Sequence, residues 1–178
     1  MKRRNYIRNA APGGEKLRGL RERGEIGIRP AMSRDSGFIR ALSNEVFFLY
    51  GDYEEILPQW FVNPDVMTIV AFAQGQSLGF AMLYMVSGEI LAIAVKPEYQ
   101  GSGIGTELLN AIARIGSGLD MERLLLHTAQ ENRVAEMFFR KASFTVIGTE
   151  GGYYPRGQAA LIMAKGIGVG HRAKGKSY

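Results

Sequence analysis

Three glycines stand close together in the stretch Val95-Lys-Pro-Glu-Tyr-Gln100-Gly-Ser-Gly-Ile-Gly105-Thr106. The run before it, from Glu89 to Val95, is almost wholly apolar and predicts a central strand. The run after it repeats apolar residues at three- and four-residue spacing and predicts a helix. Glycine lets successive backbone N–H groups converge, and a helix N-terminus adds partial positive charge. The turn is therefore suited to a pyrophosphate, although a tight turn without a ligand is also consistent with these residues.

Two common phosphate-binding loops do not fit this turn. A Walker A loop requires Gly-Lys-Ser/Thr, whereas Gly105 is followed directly by Thr106. A dinucleotide-binding fold requires an acidic residue about 20 residues further on, at the end of the next strand. That strand is expected to end at Thr128, and no carboxylate follows before Glu131. Both interpretations fail on the sequence.

The chain on either side of the turn predicts a sheet with flanking helices. Apolar patterns predict strands over 25–30, 66–73, 78–86, 89–95, 124–128, 144–149 and 158–165. Helices are expected after Ser33, with Leu49 on the inner face, after Gly105, and over 131–142, with Val134 turned inward. Hairpins come first and β–α–β–α–β later, so the fold class is α+β or mixed α/β, with about six or seven strands.

Composition limits the available chemistry. The 178 residues include no cysteine and two histidines, His127 and His171. Disulfides, thiol catalysis and cysteine-based zinc sites are excluded, and we predict no metal. No apolar run reaches the roughly 18 residues of a membrane span, and no secretory apolar core follows the N-terminus. We therefore expect a cytoplasmic protein without a membrane partner.

Charge divides the chain into a body and two basic ends. Residues 1–25 carry eight basic and three acidic residues, 166–178 carry three basic and none acidic, and 26–165 carry eleven basic and fourteen acidic. We predict a flexible tail over 1–25, one folded domain over 26–165 and a second tail over 166–178. The acidic body offers no nucleic-acid-binding face. The tails favour at most weak contact with RNA through its phosphates.

The glycine turn resembles the signature of the GNAT superfamily of acyl-CoA-dependent N-acetyltransferases. The matching residues are Val95-x-Pro97-x-x-Gln100-x-x-Gly103-x-Gly105, together with Asn132 at the position of the asparagine that opens the next helix. The later Tyr153-Tyr154-Pro155 is similar to the ribosomal-protein alanine N-acetyltransferase branch. The resemblance covers about residues 26–165 and implies a GNAT-like mixed, mostly antiparallel sheet in an acyl-CoA N-acyltransferase domain.

The same resemblance implies acetyl-CoA as the acetyl donor and suggests which residues bind it. Backbone at the end of the central strand would pair with the pantetheine arm, and the turn would hold the pyrophosphate. The implied donor-binding residues are Ile93, Ala94, Val95, Gln100, Gly101, Ser102, Gly103, Ile104, Gly105, Thr106 and Asn132.

Two residues are candidates for the base that takes the amine proton. Glu89 stands where several protein-lysine acetyltransferases of the family carry a catalytic glutamate, and His127 stands five residues before Asn132, where the alanine branch has a glutamate. An imidazole titrates near neutrality and can do the same work. The residues themselves do not decide between the two, and each has a plain structural interpretation.

The family's proton donor to the leaving thiolate is absent. That tyrosine would lie seven residues after Asn132, where this chain has Phe139. Tyr153 and Tyr154 are candidates to replace it, although they better match the tyrosine pair that lines the substrate groove in related N-terminal acetyltransferases. The family also draws substrate contacts from the loop between the first two helices, here 50–60.

The function implied is direct transfer of acetyl from acetyl-CoA to a primary amine, such as a protein N-terminal α-amine or a small amine. A non-catalytic acyl-CoA-binding module is the alternative that Phe139 suggests. An acetyltransferase acting on a small-molecule or RNA-linked amine is a further alternative. The sequence does not predict the oligomeric state.

Overall fold

The computed structural model describes residues 26–168, so the predicted tail over 1–25 and most of that over 166–178 lie outside the described residues. Seven strands and four α-helices make up the described part. In chain order they are β1 (Gly27–Pro30), α1 (Ser36–Phe47), α2 (Tyr53–Phe61), β2 (Val66–Ala73), β3 (Gln76–Tyr84), β4 (Glu89–Val95), α3 (Ile104–Gly118), β5 (Arg123–Ala129), α4 (Arg133–Lys141), β6 (Thr145–Glu150) and β7 (Ala160–Gly166).

The seven strands form one sheet in the order β1-β2-β3-β4-β5-β7-β6. All neighbours are antiparallel except β4 and β5, which run parallel. A parallel connection needs a crossover, and α3 supplies it. The predicted α+β class and the mostly antiparallel sheet are confirmed.

Helices cover both faces of the sheet. On one face, Leu108 and Ile112 of α3 pack with apolar residues of β3, β4 and β5. On the other, Ile39 and Leu42 of α1 and Leu57 of α2 pack against β2 and β3. The central strands are therefore buried on both sides, which explains why their sequences are nearly continuous apolar runs.

The predicted orientation of two residues, toward the core, is wrong. Helix α1 ends at Phe47, so Leu49 lies beyond it and is exposed. Val134 is 82% exposed. The inner stripe of α4 follows Ala135 and Phe139, and Val134 lies about 100° from the Ala135 direction around the helix.

A buried ion pair fixes the connection between β1 and α1. Asp35 is 4% exposed, and its two carboxylate oxygens accept hydrogen bonds from the Arg29 guanidinium at 2.7 and 2.8 Å. The backbone N–H of Met32 also donates to Asp35, at 2.7 Å. The hydrogen bond from Arg29 is the main reason that the pKa of Asp35 lies below its ordinary value.

We expect Asp35→Asn to lower the free energy of unfolding by about 1.5–3 kcal/mol at pH 7, the range for hydrogen bonds to charged groups. Because the folded-state pKa is depressed, the stabilisation is complete above the ordinary carboxyl range near pH 4 and is lost as the pH falls below it. Urea unfolding of both proteins at pH 7 and at about pH 3 measures this. Glu45→Gln, at an exposed position of α1, is the control, and a difference that does not shrink in acid would contradict the prediction.

Candidate active site

The sheet opens between its two parallel strands. β4 and β5 pair at Glu89–Leu125 and Ile90–Leu126, and no pairing follows between the later residues of these strands. The register between β3 and β4 also shifts here, because Met82 pairs with Ala92 whereas Leu83 pairs with Ile90. Leu91 is thus an extra residue in β4, a β-bulge at the point where the gap begins.

The backbone of β4 beyond the bulge alternates between β3 and this gap. The N–H of Lys96 donates to the Leu78 carbonyl of β3, so Ala94 also exchanges hydrogen bonds with β3 while Ile93 and Val95 face the gap. The Val95 carbonyl accepts a hydrogen bond from the Gln100 side chain at 3.0 Å. Ile93 therefore presents amide groups of the kind that an amide-containing chain can pair with.

The glycine turn lies at the open end of the gap. Gly101 and Gly103 have φ of 77° and 92°, in the region that favours glycine, and Gly103 is the residue from which the 15-residue helix α3 starts. The buried side chain of Ile104 anchors the first turn of that helix, and Thr106 is exposed. Gly105 lies where an added Cβ would be 3.4 Å from the Phe138 ring. The turn fits a pyrophosphate, since helix N–H groups and partial positive charge converge there.

A cavity of about 410 Å³ lies at the bulge and is lined by β4 from Glu89 to Ile93 and by β5 from Leu126 to Ala129. Residues of α1, α2, β3, β4, β5, α4 and the β6–β7 loop line it. Six predicted site residues are among them, together with Phe139: Glu89, Ile93, His127, Asn132, Tyr153 and Tyr154. Ala94, Val95 and the turn from Gln100 to Thr106 lie outside this lining, toward the pyrophosphate end of the gap.

The two candidate bases are in contact. The Nδ1 atom of His127 lies 2.9 Å from Oε1 of Glu89, and its Nε2 lies 3.7 Å from Oε2 of Glu150. A carboxylate accepts hydrogen bonds, so the contact with Glu89 places a proton on Nδ1, and in the tautomer with that single proton Nε2 keeps its lone pair. Both side chains are largely buried, at 24% exposed for Glu89 and 18% for His127. The parallel pairing of β4 with β5 brings them together.

Tyrosines cover this pair. The Tyr153 ring stacks on the His127 ring at 4.1 Å with an angle of 6° between the planes. Tyr154 packs against Tyr153 and Tyr50, each at 5.1 Å between ring centroids, and against Tyr53 at 6.4 Å. Burial raises the pKa of Tyr153 and of Tyr154, and the charge of Glu89 adds to the effect on Tyr153. Both phenols therefore stay protonated at neutral pH.

Asn132 and Phe139 lie on the α4 side of the cavity. The Asn132 side chain caps α4 by accepting a hydrogen bond from the Ala135 N–H at 3.1 Å, and it lines the cavity together with Tyr50. Phe139 packs edge-on against Phe138 and Phe144. Phe139 thus places a buried hydrocarbon ring at the position where the family that the sequence resembles has a tyrosine.

Two loops meet over one end of the cavity. The backbone N–H of Arg156 donates to the Tyr50 carbonyl at 3.3 Å, and the Gln158 side chain donates to the Leu49 carbonyl at 2.8 Å. A Cβ at Gly51 would lie 2.7 Å from the Pro155 ring. The β6–β7 loop therefore rests directly on the α1–α2 loop, and we refer to this contact as the loop bridge.

Sequence reasoning missed several residues of this region, among them Phe47, Tyr84 and Glu150. Tyr84 lines the cavity and pairs with Glu89 across the β3–β4 hairpin, so the Ser87-Gly88 turn was a usable signal. Nothing local marks Glu150, because its distance to His127 depends on the pairing of β6 with β7. Within residues 26–168, no group of three or more His, Asp or Glu side chains is arranged to hold a metal ion. The helices of that range include none that is long and apolar enough to cross a membrane.

A gap in a strand pair that leads to a glycine turn at a helix N-terminus fits the amide arm and the pyrophosphate of an acyl-CoA, and the class of protein that this arrangement indicates is an acyl-CoA-dependent acyltransferase. The model of the acetyltransferase (GNAT) family matches residues 37–144, more than half of the 178 residues. The chain belongs to this family. It is an N-acetyltransferase that uses acetyl-CoA as the donor and a primary amine as the acceptor, so the predicted family, activity and donor are confirmed.

Individual relatives show how far the similarity extends. A candidate alanine N-acetyltransferase of ribosomal protein bS18 from Bacillus subtilis is 30% identical over 114 residues, which cover 62% of this chain and 73% of that protein. The crystal structure of the ribosomal-protein-S18-alanine N-acetyltransferase from Escherichia coli has a TM-score of 0.70 at 21% identity, covering 86% of this chain and 99% of that chain. The PaiA N-acetyltransferase from Thermoplasma acidophilum in complex with coenzyme A has a TM-score of 0.68 at 25% identity, covering 79% and 98%.

Proposed function

We propose that the acceptor is the α-amine at the N-terminus of a protein or peptide. The loop bridge carries this proposal. An internal segment of a polypeptide must leave the cavity on both sides, and the two loops in contact close one of those sides. A chain end can enter with its first residue. The similarity to alanine N-acetyltransferases of a ribosomal protein supports the same class of acceptor. An acceptor of that kind would be met in the cytoplasm.

We also propose the predicted residues as the donor site. The backbone of Ile93 and Val95 would pair with the pantetheine amides, with Ala94 holding the strand against β3. Gln100, Gly101, Ser102, Gly103, Ile104, Gly105 and Thr106 would form the pyrophosphate turn. Asn132 would contact the donor from the start of α4. The acyltransferase domain would extend over 26–165, with the tails outside it.

His127 is the proposed base, and Glu89 is the proposed positioning residue. An α-ammonium has no lone pair and titrates near pH 8, whereas a lysine titrates near 10.4. Nε2 of His127 takes one proton from the ammonium, and the Glu89 carboxylate holds Nδ1–H so that Nε2 faces the cavity. The amine nitrogen then forms a bond to the thioester carbonyl carbon, the carbon–sulfur bond breaks, and the second proton that the nitrogen loses passes to the leaving thiolate.

The leaving thiolate needs no strong acid. A thiol titrates near 8.5 by analogy with cysteine, so its anion is a tolerable leaving group. Phe139 cannot donate a proton, but the protonated phenols of the cavity can. Tyr50 lines the cavity together with Asn132, the proposed donor contact, while Tyr153 and Tyr154 cover the base.

The test is release of free thiol from acetyl-CoA with three separate acceptor pools. We expect turnover with peptides bearing a free N-terminus. N-terminally blocked peptides that contain an internal lysine serve as the matched control and should be poor acceptors. Mass spectrometry of the product locates the acetyl group. Turnover with blocked lysine peptides or small amines, and none with free N-termini, would overturn the proposal.

A further inference from the structure

We propose that the acceptor's first residue carries a large apolar side chain, which binds against a wall of the cavity. The wall consists of Phe47, Tyr53, Ile56, Leu57, Trp60 and Tyr84, all of which line the cavity. The inference rests on the proposed N-terminal acceptor and names the kind of N-terminus. We refer to these six residues as the aromatic wall.

The aromatic wall is a packed surface. Trp60 and Tyr84 meet edge-on at 5.5 Å between ring centroids, and Phe47 and Tyr53 lie 5.6 Å apart. Leu57 is 2% exposed and forms the base of the wall. The other five are partly exposed into the cavity. Their positions are therefore fixed by contacts within the fold while their apolar faces remain accessible.

The wall begins where the amine must bind. Tyr84 is the β3 partner of Glu89, and Glu89 contacts His127. When the amine lies at Nε2 of His127, the α-carbon of the first residue is one bond away and also lies inside the cavity. The side chain and the rest of the peptide leave that carbon in different directions. Tyr153, stacked on His127, and the loop bridge lie on one side. The aromatic wall adjoins that side where Tyr53 meets Tyr154, and it offers the apolar surface for the first side chain.

Charge selects against polar first residues. No lysine or arginine is among the residues that line the cavity in the described part of the chain, so an acidic side chain would find no cation there. Glu89 is the one lining carboxylate within residues 26–168, and it already contacts His127. A second ammonium, such as that of a polyamine, would be desolvated against hydrocarbon without a partner. A large apolar side chain covers the aromatic wall, whereas an alanine leaves most of it exposed to water.

Peptides that differ only in their first residue test the inference. With Met, Leu, Ala and Asp at that position, we expect kcat/KM for Met and Leu to exceed that for Ala by about 10- to 200-fold, the range for missing methylenes in a hydrophobic pocket. The Asp peptide should be the poorest. Trp60→Ala and Phe47→Ala should lower kcat/KM for the Met and Leu peptides at least tenfold and change the Ala value little. Phe48→Ala is the matched control, since Phe48 is 50% exposed and outside the lining.

The outcomes separate this inference from the proposed function. Equal kcat/KM for Met, Leu and Ala peptides would overturn the inference and leave the N-terminal acceptor standing. Turnover with spermidine but with no peptide would overturn both. Use of butyryl-CoA as efficiently as acetyl-CoA, with no preference for the first residue, would assign the wall to the acyl chain instead. If thermal unfolding shows that Trp60→Ala is unfolded, Ile56→Ala on the same wall gives the same comparison.

Discussion

His127→Ala is expected to lower kcat by about 10²- to 10⁴-fold, the usual contribution of a general base. The His127→Ala variant should bind acetyl-CoA as the wild type does, because His127 is proposed to contact the acceptor and not the donor. The acid limb of the kcat/KM profile against pH reports protonation of the base, so it should disappear. Added imidazole should restore part of the turnover by entering the space that the side chain leaves. Steady-state kinetics with a fixed N-terminal peptide measure the turnover, the pH profile and the rescue, and calorimetric titration measures the binding of acetyl-CoA.

Glu89 variants distinguish a positioning residue from a second base. Gln at position 89 can still accept the Nδ1–H hydrogen bond, whereas Ala cannot, so we expect Glu89→Ala to lose much more activity than Glu89→Gln. Glu150→Gln is the control, because Glu150 lies 3.7 Å from Nε2 and is 53% exposed. Full activity in His127→Ala would show that the base has been assigned to the wrong residue. Equal losses in both Glu89 variants would show that the charge itself is needed.

Gly103→Val is expected to weaken acetyl-CoA binding by about 10- to 100-fold. Gly103 has a φ of 92° at the start of α3, and a β-branched residue is strained there. The backbone must turn to relieve that strain, which misdirects the N–H groups of the turn. Losing a hydrogen bond to a charged partner costs about 1.5–3 kcal/mol. Calorimetric titration with coenzyme A measures the change directly.

Gly37→Val is the matched control for the glycine turn. Gly37 lies in α1, and an added Cβ there would meet no atom within 4 Å. That variant should bind coenzyme A like the wild type, and circular dichroism should show both variants folded. Unchanged binding in a folded Gly103→Val protein would mean that the turn does not hold the pyrophosphate.

The features that were predictable from the sequence are those encoded locally. Glycine tolerates the positive φ found at Gly101 and Gly103, so closely spaced glycines marked the turn and the start of its helix without a structure. The central strand from Glu89 to Val95 was visible as a continuous apolar run, and its bounds match β4. Leu49 and Val134 were placed wrongly because apolar spacing alone does not fix where a helix ends or which edge of a stripe is covered.

The contact between Glu89 and His127 was beyond the reach of the sequence. The two are 38 residues apart, and their distance depends on the register of a parallel pair that extends over two residues. A shift by one residue would turn one side chain to the opposite face of the sheet. The sequence therefore identified both residues as separate candidates, and the tertiary pairing unites them. The loop bridge has the same origin, since it joins segments about 100 residues apart.

The two-residue junction between β4 and β5 makes the sheet two half-sheets, one of four strands and one of three. A donor lying in the gap would form hydrogen bonds where β4 and β5 do not pair, and it would couple the two half-sheets into one cooperative unit. Ligand that binds the folded chain alone stabilises it in proportion to the logarithm of its concentration. The resistance of this chain to local opening, and so to proteolysis, would then rise and fall with the cell's supply of acetyl-CoA.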